Sequence, residues 1–260
     1  MDRITVVKIG GSTLGNHDTT LDDIVSLQRQ GKPLVVVHGG GKLITDWLAR
    51  LGIASKFVGG ERVTDRPTLE VVVAVLAGVV NKDIVAAIGS RGGRAVGIAG
   101  VDGSLIQGAV ADAAKGYVGM VTRVDPHVMT ALMAAGYIPV VAPVGLYTGP
   151  RPDDAPATLN FNADVVAGDI AAAVNADRLV FLTDVPGVLD RSGKLVPELT
   201  TAEARALLDS GVASGGMIPK LQSCLRALST TDIACIVDGR EPHALMQTMG
   251  PGHSGTTIHR

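Results

Sequence analysis

Six short stretches of the chain are apolar at nearly every position: residues 4–9, 33–38, 95–98, 138–142, 179–182 and 233–237. They are rich in Val and Ile and lack the in-out alternation of a sheet with one wet face. They therefore predict strands of a parallel sheet covered on both sides. Between them, residues 20–30, 42–51, 67–88, 126–135, 163–174, 201–209 and 219–228 read as helices. Two helix starts carry their own chemistry. Thr64 or Asp65 precedes Arg66-Pro67 as an N-cap with proline in the first turn, and Thr200-Thr201-Ala202-Glu203 is a capping box. Strand-helix alternation predicts an α/β, doubly wound sheet whose ligands gather beyond the carboxyl ends of its strands.

Two regions break the alternation. Residues 100–119 hold glycines at 100, 103, 108, 116 and 119 and read as hairpins, and residues 149–158 form a Pro-rich loop. A lobe boundary is expected at Asn175-Ala176-Asp177, dividing the chain into residues 1–174 and 175–260. Composition narrows the class further. With 260 residues, 46% of them hydrophobic, the chain buries a large core, and disorder is excluded. There are 33 glycines but only three Phe, three Tyr and one Trp. A net charge of −2 supplies no field for nucleic acid or an anionic membrane. Cys224 and Cys235 are expected to be small buried thiols of a reduced chain. Lys8 interrupts the first apolar run, against a signal peptide, and the longest apolar stretch, residues 71–80, is too short to span a bilayer. A soluble, cytoplasmic protein is the expectation.

The candidate chemistry sits at strand ends. The first strand ends in Lys8-Ile9-Gly10-Gly11, a point cation beside exposed backbone N–H groups, and the second in His38-Gly39-Gly40-Gly41 at the start of a helix. Both suit an anion, because donors converge where no side chain blocks approach. Two familiar phosphate motifs fail. The Walker pattern finds Val36 and Leu43 where it needs Gly and Ser or Thr, and the GxGxxG at residues 250–255 neither follows a strand nor opens a helix. Late in the chain, Thr183-Asp184-Val185-Pro186-Gly187-Val188-Leu189 follows a buried strand, and Gly215-Gly216-Met217-Ile218-Pro219-Lys220 puts a lysine just inside a helix. Such a lysine opposes the helix dipole and calls for an anionic partner.

Taken in order, Lys8-Ile-Gly-Gly, His38-Gly-Gly-Gly, Arg62-Val-Thr-Asp, Val80-Asn-Lys, Asn160-Phe-Asn-Ala-Asp164, Thr183-Asp-Val-Pro-Gly-Val and Gly215-Gly-Met-Ile-Pro-Lys220 resemble the amino acid kinase family across essentially the whole chain. The pattern is most similar to the branch acting on N-acetylglutamate. The resemblance implies a three-layer α/β sandwich with a central, mostly parallel sheet. It also implies ATP-dependent phosphorylation of the side-chain carboxylate of N-acetyl-L-glutamate to an acyl phosphate, in arginine biosynthesis. By that resemblance Lys8 and Lys220 flank the phosphoryl group and Asp164 holds both lysines; Gly40, Gly41, Arg62 and Asn160 meet the acyl amino acid. Gly10, Gly11, residues 183–189, Val212, Ala213, Ser214, Gly215, Gly216 and Met217 meet ATP. Mg²⁺ arrives with ATP, held mainly by its phosphates, with no dedicated protein metal site. The amino-terminal lobe then binds the acyl amino acid and dimerises, and the carboxy-terminal lobe binds ATP.

These roles agree with elementary chemistry. A carboxylate acceptor is already ionised at neutral pH, so no general base is needed, and two anions are brought together by cations and backbone donors. Val101, where relatives often carry Lys, and Thr64-Asp65-Arg66 leave open a kinase for aminoadipate or glutamate linked to a carrier protein. A non-catalytic nucleotide-binding regulator is the competing reading from another class; it binds ATP without turnover. Because the first strand starts at once, the resemblance further implies an arginine-insensitive homodimer.

Overall fold

The computed structural model describes residues 4–10, 19–250, 252 and 254–260. β1 (Thr5–Ile9), α1 (Thr20–Arg29), β2 (Leu34–His38) and α2 (Gly41–Arg50) open the chain. A small hairpin, β3 (Phe57–Val58) and β4 (Glu61–Arg62), precedes a long helix made of α3 (Arg66–Val73), a π-helical segment (Ala74–Val80) and α4 (Asn81–Ser90). Next come β5 (Ala95–Ala99), β6 (Ile106–Val110), β7 (Val118–Val124), α5 (His127–Ala134), β8 (Ile138–Ala142), β9 (Val144–Tyr147), β10 (Thr158–Phe161) and α6 (Ala163–Ala173). The remainder holds β11 (Arg178–Thr183), β12 (Glu198–Thr200), α7 (Thr201–Asp209), α8 (Met217–Ala227), β13 (Ile233–Asp238), α9 (Ala244–Gln247) and β14 (Thr256–His259).

Among the described residues, eight strands form one sheet in the order β12-β14-β13-β11-β1-β2-β8-β5. Every neighbouring pair in it is parallel except β13 with β14. The expected sandwich follows from side-chain alternation along the strands. Val6, Val37 and Phe181 face a core completed by Met129 of α5, Ile170 of α6 and Leu221 of α8. Val7, Val36 and Val180 face the opposite core, completed by Ile24 of α1, Ile84 of α4 and Leu245 of α9. Lys8 is two residues from Val6, which places it on the α6–α8 side. The register sets Lys8 beside Phe181 and Val37, and Ile9 beside Leu182 and His38. The carboxyl ends of β1, β2 and β11 are thus adjacent.

Three departures from expectation have physical causes. Residues 100–119 belong to a closed four-stranded barrel, β10-β7-β6-β9, rather than to hairpins alone. Phe161 of β10 is buried inside it, and its ring occupies the space a side chain would need at three glycines: a Cβ on Gly108, Gly119 or Gly145 would lie 2.7, 2.5 or 2.8 Å from the ring. The strands are short; β6 with β7 and β9 with β10 are near neighbours in sequence, but β6 with β9 and β7 with β10 pair across long separations, so no local period announces the closure. Second, residues 66–90 run as one helix of 25 residues, long and apolar enough to cross a bilayer, beyond the shorter apolar stretch the sequence suggested. One face of it packs into the protein, with Val72, Val75, Ile84 and Ile88 buried. Third, β12 and α9, three and four residues long, are too short for periodicity to register. Asp65, not Thr64, is the α3 cap, accepting from Thr68 N, and the capping box at Thr200 and Glu203 is formed.

Candidate active site

α6 begins where the Asn162 side chain accepts from the N–H groups of Asp164 (2.8 Å) and Val165 (3.4 Å). This cap sets Asp164 in the first turn, where the helix dipole favours a carboxylate. Lys8 Nζ lies 2.7 Å from Asp164 Oδ1, and Lys220 Nζ lies 3.2 Å from Oδ2. The three side chains are 9%, 13% and 9% exposed for Lys8, Lys220 and Asp164. Lysines this buried need a carboxylate to offset desolvation, and one carboxylate shared by two lysines leaves a net positive charge. Lys220 also donates to Gly216 O at 3.3 Å, which ties the first turn of α8 to its own glycine entry.

A cavity of about 210 Å³ lies beside this triad, walled by Gly39, Gly40, Gly41, Arg62, Asn160 and Ala163 among others. Arg62 on β4 is 8% exposed. It donates to Ser55 Oγ (2.8 Å), Gly41 O (3.0 Å) and Thr45 Oγ1 (2.8 Å), and stands 4.7 Å over the Phe57 ring. Burial lowers its pKa, but no carboxylate pairs with it among the described residues. A buried guanidinium fixed by neutral acceptors alone is suited to an incoming carboxylate. Asn160 Nδ2 donates to Thr64 Oγ1 (3.1 Å), whose hydroxyl donates to Arg62 O (2.9 Å). Thr64 therefore joins the two residues facing the cavity. The sequence offers Thr64 as a cap and as part of Thr64-Asp65-Arg66 near the arginine, but not as the link between Arg62 and Asn160; its place two residues after Arg62 was the available signal.

On the other side of the triad a cavity of about 330 Å³ opens between two loops. Thr183, Asp184, Val185, Gly187, Val188 and Leu189 line one wall, and Val212, Ala213, Ser214, Gly216, Met217 and Lys220 the other. Pro186 and Gly215 belong to the same loops but not to the cavity wall. Gly187 has φ 143°, and a Cβ there would press on Leu195 and Thr256 at 2.7 Å, so the loop needs glycine. Val188 N donates to Thr256 Oγ1 at 2.8 Å, which holds the loop against β14. Gly10 continues β1 with its N–H on Leu182 O at 3.1 Å; Gly11 lies outside the described residues. Asp164 follows Ala163 at the first cavity and holds Lys220 at the second, so the triad joins the two. Cys224 and Cys235 are both buried thiols, and burial raises the pKa of each. No group of three or more metal-ligating side chains is gathered among the described residues.

The chain matches the model of the amino acid kinase family over residues 3–237. It is 48% identical over 257 residues to the acetylglutamate kinase of Dehalococcoides mccartyi strain 195, covering 99% of this chain and 94% of that protein. It is 44% identical to the acetylglutamate kinase of Jannaschia sp. CCS1, covering 100% of this chain and 90% of that protein. The structure of smu.665 from Streptococcus mutans UA159 superimposes with a TM-score of 0.83 at 28% identity, over 100% of this chain and 99% of that one. Two cavities joined by a lysine–carboxylate–lysine triad at the carboxyl ends of a parallel sheet, and these likenesses along the whole chain, lead to one conclusion: the chain belongs to the amino acid kinase family.

Proposed function

We propose that the chain is an ATP-dependent acetylglutamate kinase, phosphorylating the side-chain carboxylate of N-acetyl-L-glutamate in arginine biosynthesis. The single observation that carries the reading is Asp164 bound by both Lys8 and Lys220 between two cavities. The relatives named acetylglutamate kinase at 44–48% identity support it.

In this reading the acyl amino acid occupies the cavity of Arg62 and Asn160, with its free carboxylate on Arg62. ATP occupies the cavity between residues 183–189 and 212–217. The acceptor carboxylate, already ionised, attacks the γ-phosphorus; the new O–P bond forms as the bond to the β–γ bridging oxygen breaks, giving an acyl phosphate and ADP. No proton moves, so none of the histidines is required as a base. Lys8 and Lys220 stabilise charge on the transferring oxygens, and Asp164 keeps both ammonium groups aimed between the cavities. Mg²⁺ is proposed to travel with the ATP phosphates, and no step is assigned to it.

The acyl cavity is lined entirely by residues before 175 and the nucleotide cavity entirely by residues after it. This supports lobes 1–174 and 175–260 on one continuous sheet, in which β1 pairs with β11. We further propose a cytoplasmic homodimer; light scattering that reports a monomer refutes the second half of that statement. The activity itself is tested by incubating the protein with ATP, Mg²⁺ and N-acetylglutamate and trapping acyl phosphate as the hydroxamate. Signal only with a carrier-linked aminoadipate or glutamate overturns the choice of acceptor. ATP binding without any transfer overturns the enzyme reading.

A further inference from the structure

Beyond the two cavities, a pair of buried polar side chains not used above lies under the Gly39–Gly41 loop. His38 closes β2 and is 1% exposed; Asn81 opens α4 and is fully buried. Their contacts form a chain in which each link fixes the next. Lys82 Nζ, which can only donate, lies 3.0 Å from Asn81 Oδ1 and 3.0 Å from Gly97 O. That assigns the Asn81 oxygen to Lys82 and turns its amide nitrogen inward. There Nδ2 meets Val140 O at 2.9 Å, Ile98 O at 3.3 Å and His38 Nε2 at 3.2 Å. An amide nitrogen has no lone pair to offer, so His38 Nε2 must be the acceptor. The ring proton of neutral His38 is then on Nδ1, 2.9 Å from Gly39 O.

The consequence passes through one peptide plane. In a trans peptide the carbonyl of residue 39 and the N–H of residue 40 point in opposite directions. With Gly39 O held by the imidazole, the Gly40 N–H is turned the other way. Gly39, Gly40 and Gly41 all line the acyl cavity, and the N–H groups of Gly40 and Gly41 meet no acceptor among the described residues. Behind the loop the π-helical segment packs closely: a Cβ on Gly40 would lie 2.6 Å from Leu76 Cδ2.

We propose that His38 is a positioning residue for phosphoryl transfer: as the Nδ1–H tautomer, set by Asn81 and Lys82, it holds the Gly39 carbonyl and thereby aims the Gly40 N–H at the oxygens between acceptor and phosphate. The proposal deepens the kinase reading and rests on it. The ring's environment agrees. Burial pushes its pKa down to about 4, and the charged groups acting on it, Lys8 of β1 and Lys82 of α4, push the same way. A second ring proton would face the Asn81 amide hydrogens. His38 is therefore a fixed neutral donor, with both nitrogens committed, and not a general base.

Three measurements test this. The ¹⁵N shifts of imidazole-labelled enzyme, without substrates, are expected to show protonated Nδ1 and bare Nε2 at His38 at pH 7; a proton on Nε2 overturns the proposal whatever the enzyme does. His38→Leu is expected to lower kcat about tenfold or more, with ATP affinity within twofold, while His38→Asn, which can still donate to Gly39 O, recovers most of the loss. Equal kcat in wild type and a folded His38→Leu overturns it. Asn81→Asp puts an acceptor at Nε2 and draws the proton there. Its kcat is expected to fall as pH rises through a newly raised His38 pKa, because the Nδ1–H is lost above that point; a profile parallel to wild type contradicts the proposal. If wild type gives no acyl phosphate, the kinase reading fails, and the ¹⁵N result still decides the tautomer.

Discussion

Gly168 of α6 touches Ser223 of α8 with no space for a methyl group: a Cβ on Gly168 would lie 2.8 Å from Ser223 O and 2.9 Å from Ser223 Cβ. One turn earlier on these helices stand Asp164 and Lys220. The close approach of the two backbones is what lets an aspartate reach a lysine on the neighbouring helix.

Replacing Gly168 with Ala should therefore act on catalysis as well as stability. Overpacking of this kind costs about 1–3 kcal/mol, and the relief is expected to be outward movement of α8, separating Lys220 from Asp164. Thermal melting should report the first effect and kcat the second, with KM for the acyl substrate little changed because its cavity lies on the other side. A lowered melting point with unchanged kcat would refute the coupling.

Removing the charges directly should be more severe. Lys8→Met or Lys220→Met is expected to lower kcat by about a hundredfold or more, the scale of losing a preorganised donor at the reacting oxygens. Nucleotide affinity, measured by calorimetry with a non-hydrolysable ATP analogue, should change far less. Asp164→Asn leaves two buried ammonium groups facing each other without a counter-charge. It should impair both turnover and folding stability.

Arg62 makes the acceptor side testable in isolation. Arg62→Lys keeps a cation but loses the planar fork that bonds Ser55, Thr45 and Gly41 together. Hydrogen bonds to charged groups contribute about 1.5–3 kcal/mol, so KM for the acyl amino acid should rise about ten- to a hundredfold while KM for ATP stays within a few-fold. Thr64→Val should produce a weaker version of the same effect, since Asn160 and the Arg62 carbonyl both lose their shared hydroxyl.

Two histidines give the stability curve opposite slopes. His38 has its pKa depressed to about 4 by burial. As pH falls below 6.5 the unfolded chain takes up a proton that the folded chain refuses, so stability falls between pH 6.5 and about 4, by roughly 3 kcal/mol in all. His243 Nδ1 lies 2.7 Å from Asp23 Oδ1, and that carboxylate raises its pKa. Its contribution is complete below 6.5 and is lost as pH rises through the raised value. Chemical denaturation across pH 4–8 should show the acid slope vanish in His38→Asn and the neutral-side slope vanish in His243→Gln.

The layers of this fold were legible because their signals are local. The residue runs expected as β1, β2, β5, β8, β11 and β13 are six strands of the central sheet; full burial of β1, β2 and β8 wrote itself as unbroken apolar runs, while β5 at the edge is only partly buried. The cation and glycine motifs could be placed for the same reason: Lys8, His38 and Thr183 each lie at or beside the carboxyl end of such a run. The four-stranded barrel was not legible, because a Gly108 or Gly119 that makes room for an aromatic ring reads locally as a turn. Nor was the tie from Thr64 to Asn160, which spans 96 residues. His38 and Asn81 stood in recognisable motifs, yet their partnership depends on a proton whose place only the packed geometry fixes.

The Phe161 ring in its barrel of glycines has a consequence for the order of assembly. Its neighbours in sequence are Asn160, at the acyl cavity, and Asn162, the cap that sets Asp164. Phe161 is thus spliced between a residue that lines the first cavity and the cap of the helix that carries Asp164. β6 pairs with β9 (Gln107 with Leu146) and β7 with β10 (Val118 with Asn160) across long stretches of chain, the kind of closure that comes late in folding. The proposed acceptor site and this seal are therefore expected to form together, so that a chain whose Phe161 is not yet seated binds no acyl amino acid. Ligand occupancy should feed back on that seal through mass action: acyl amino acid should slow amide exchange in β6 and β9, strands whose side chains it never meets.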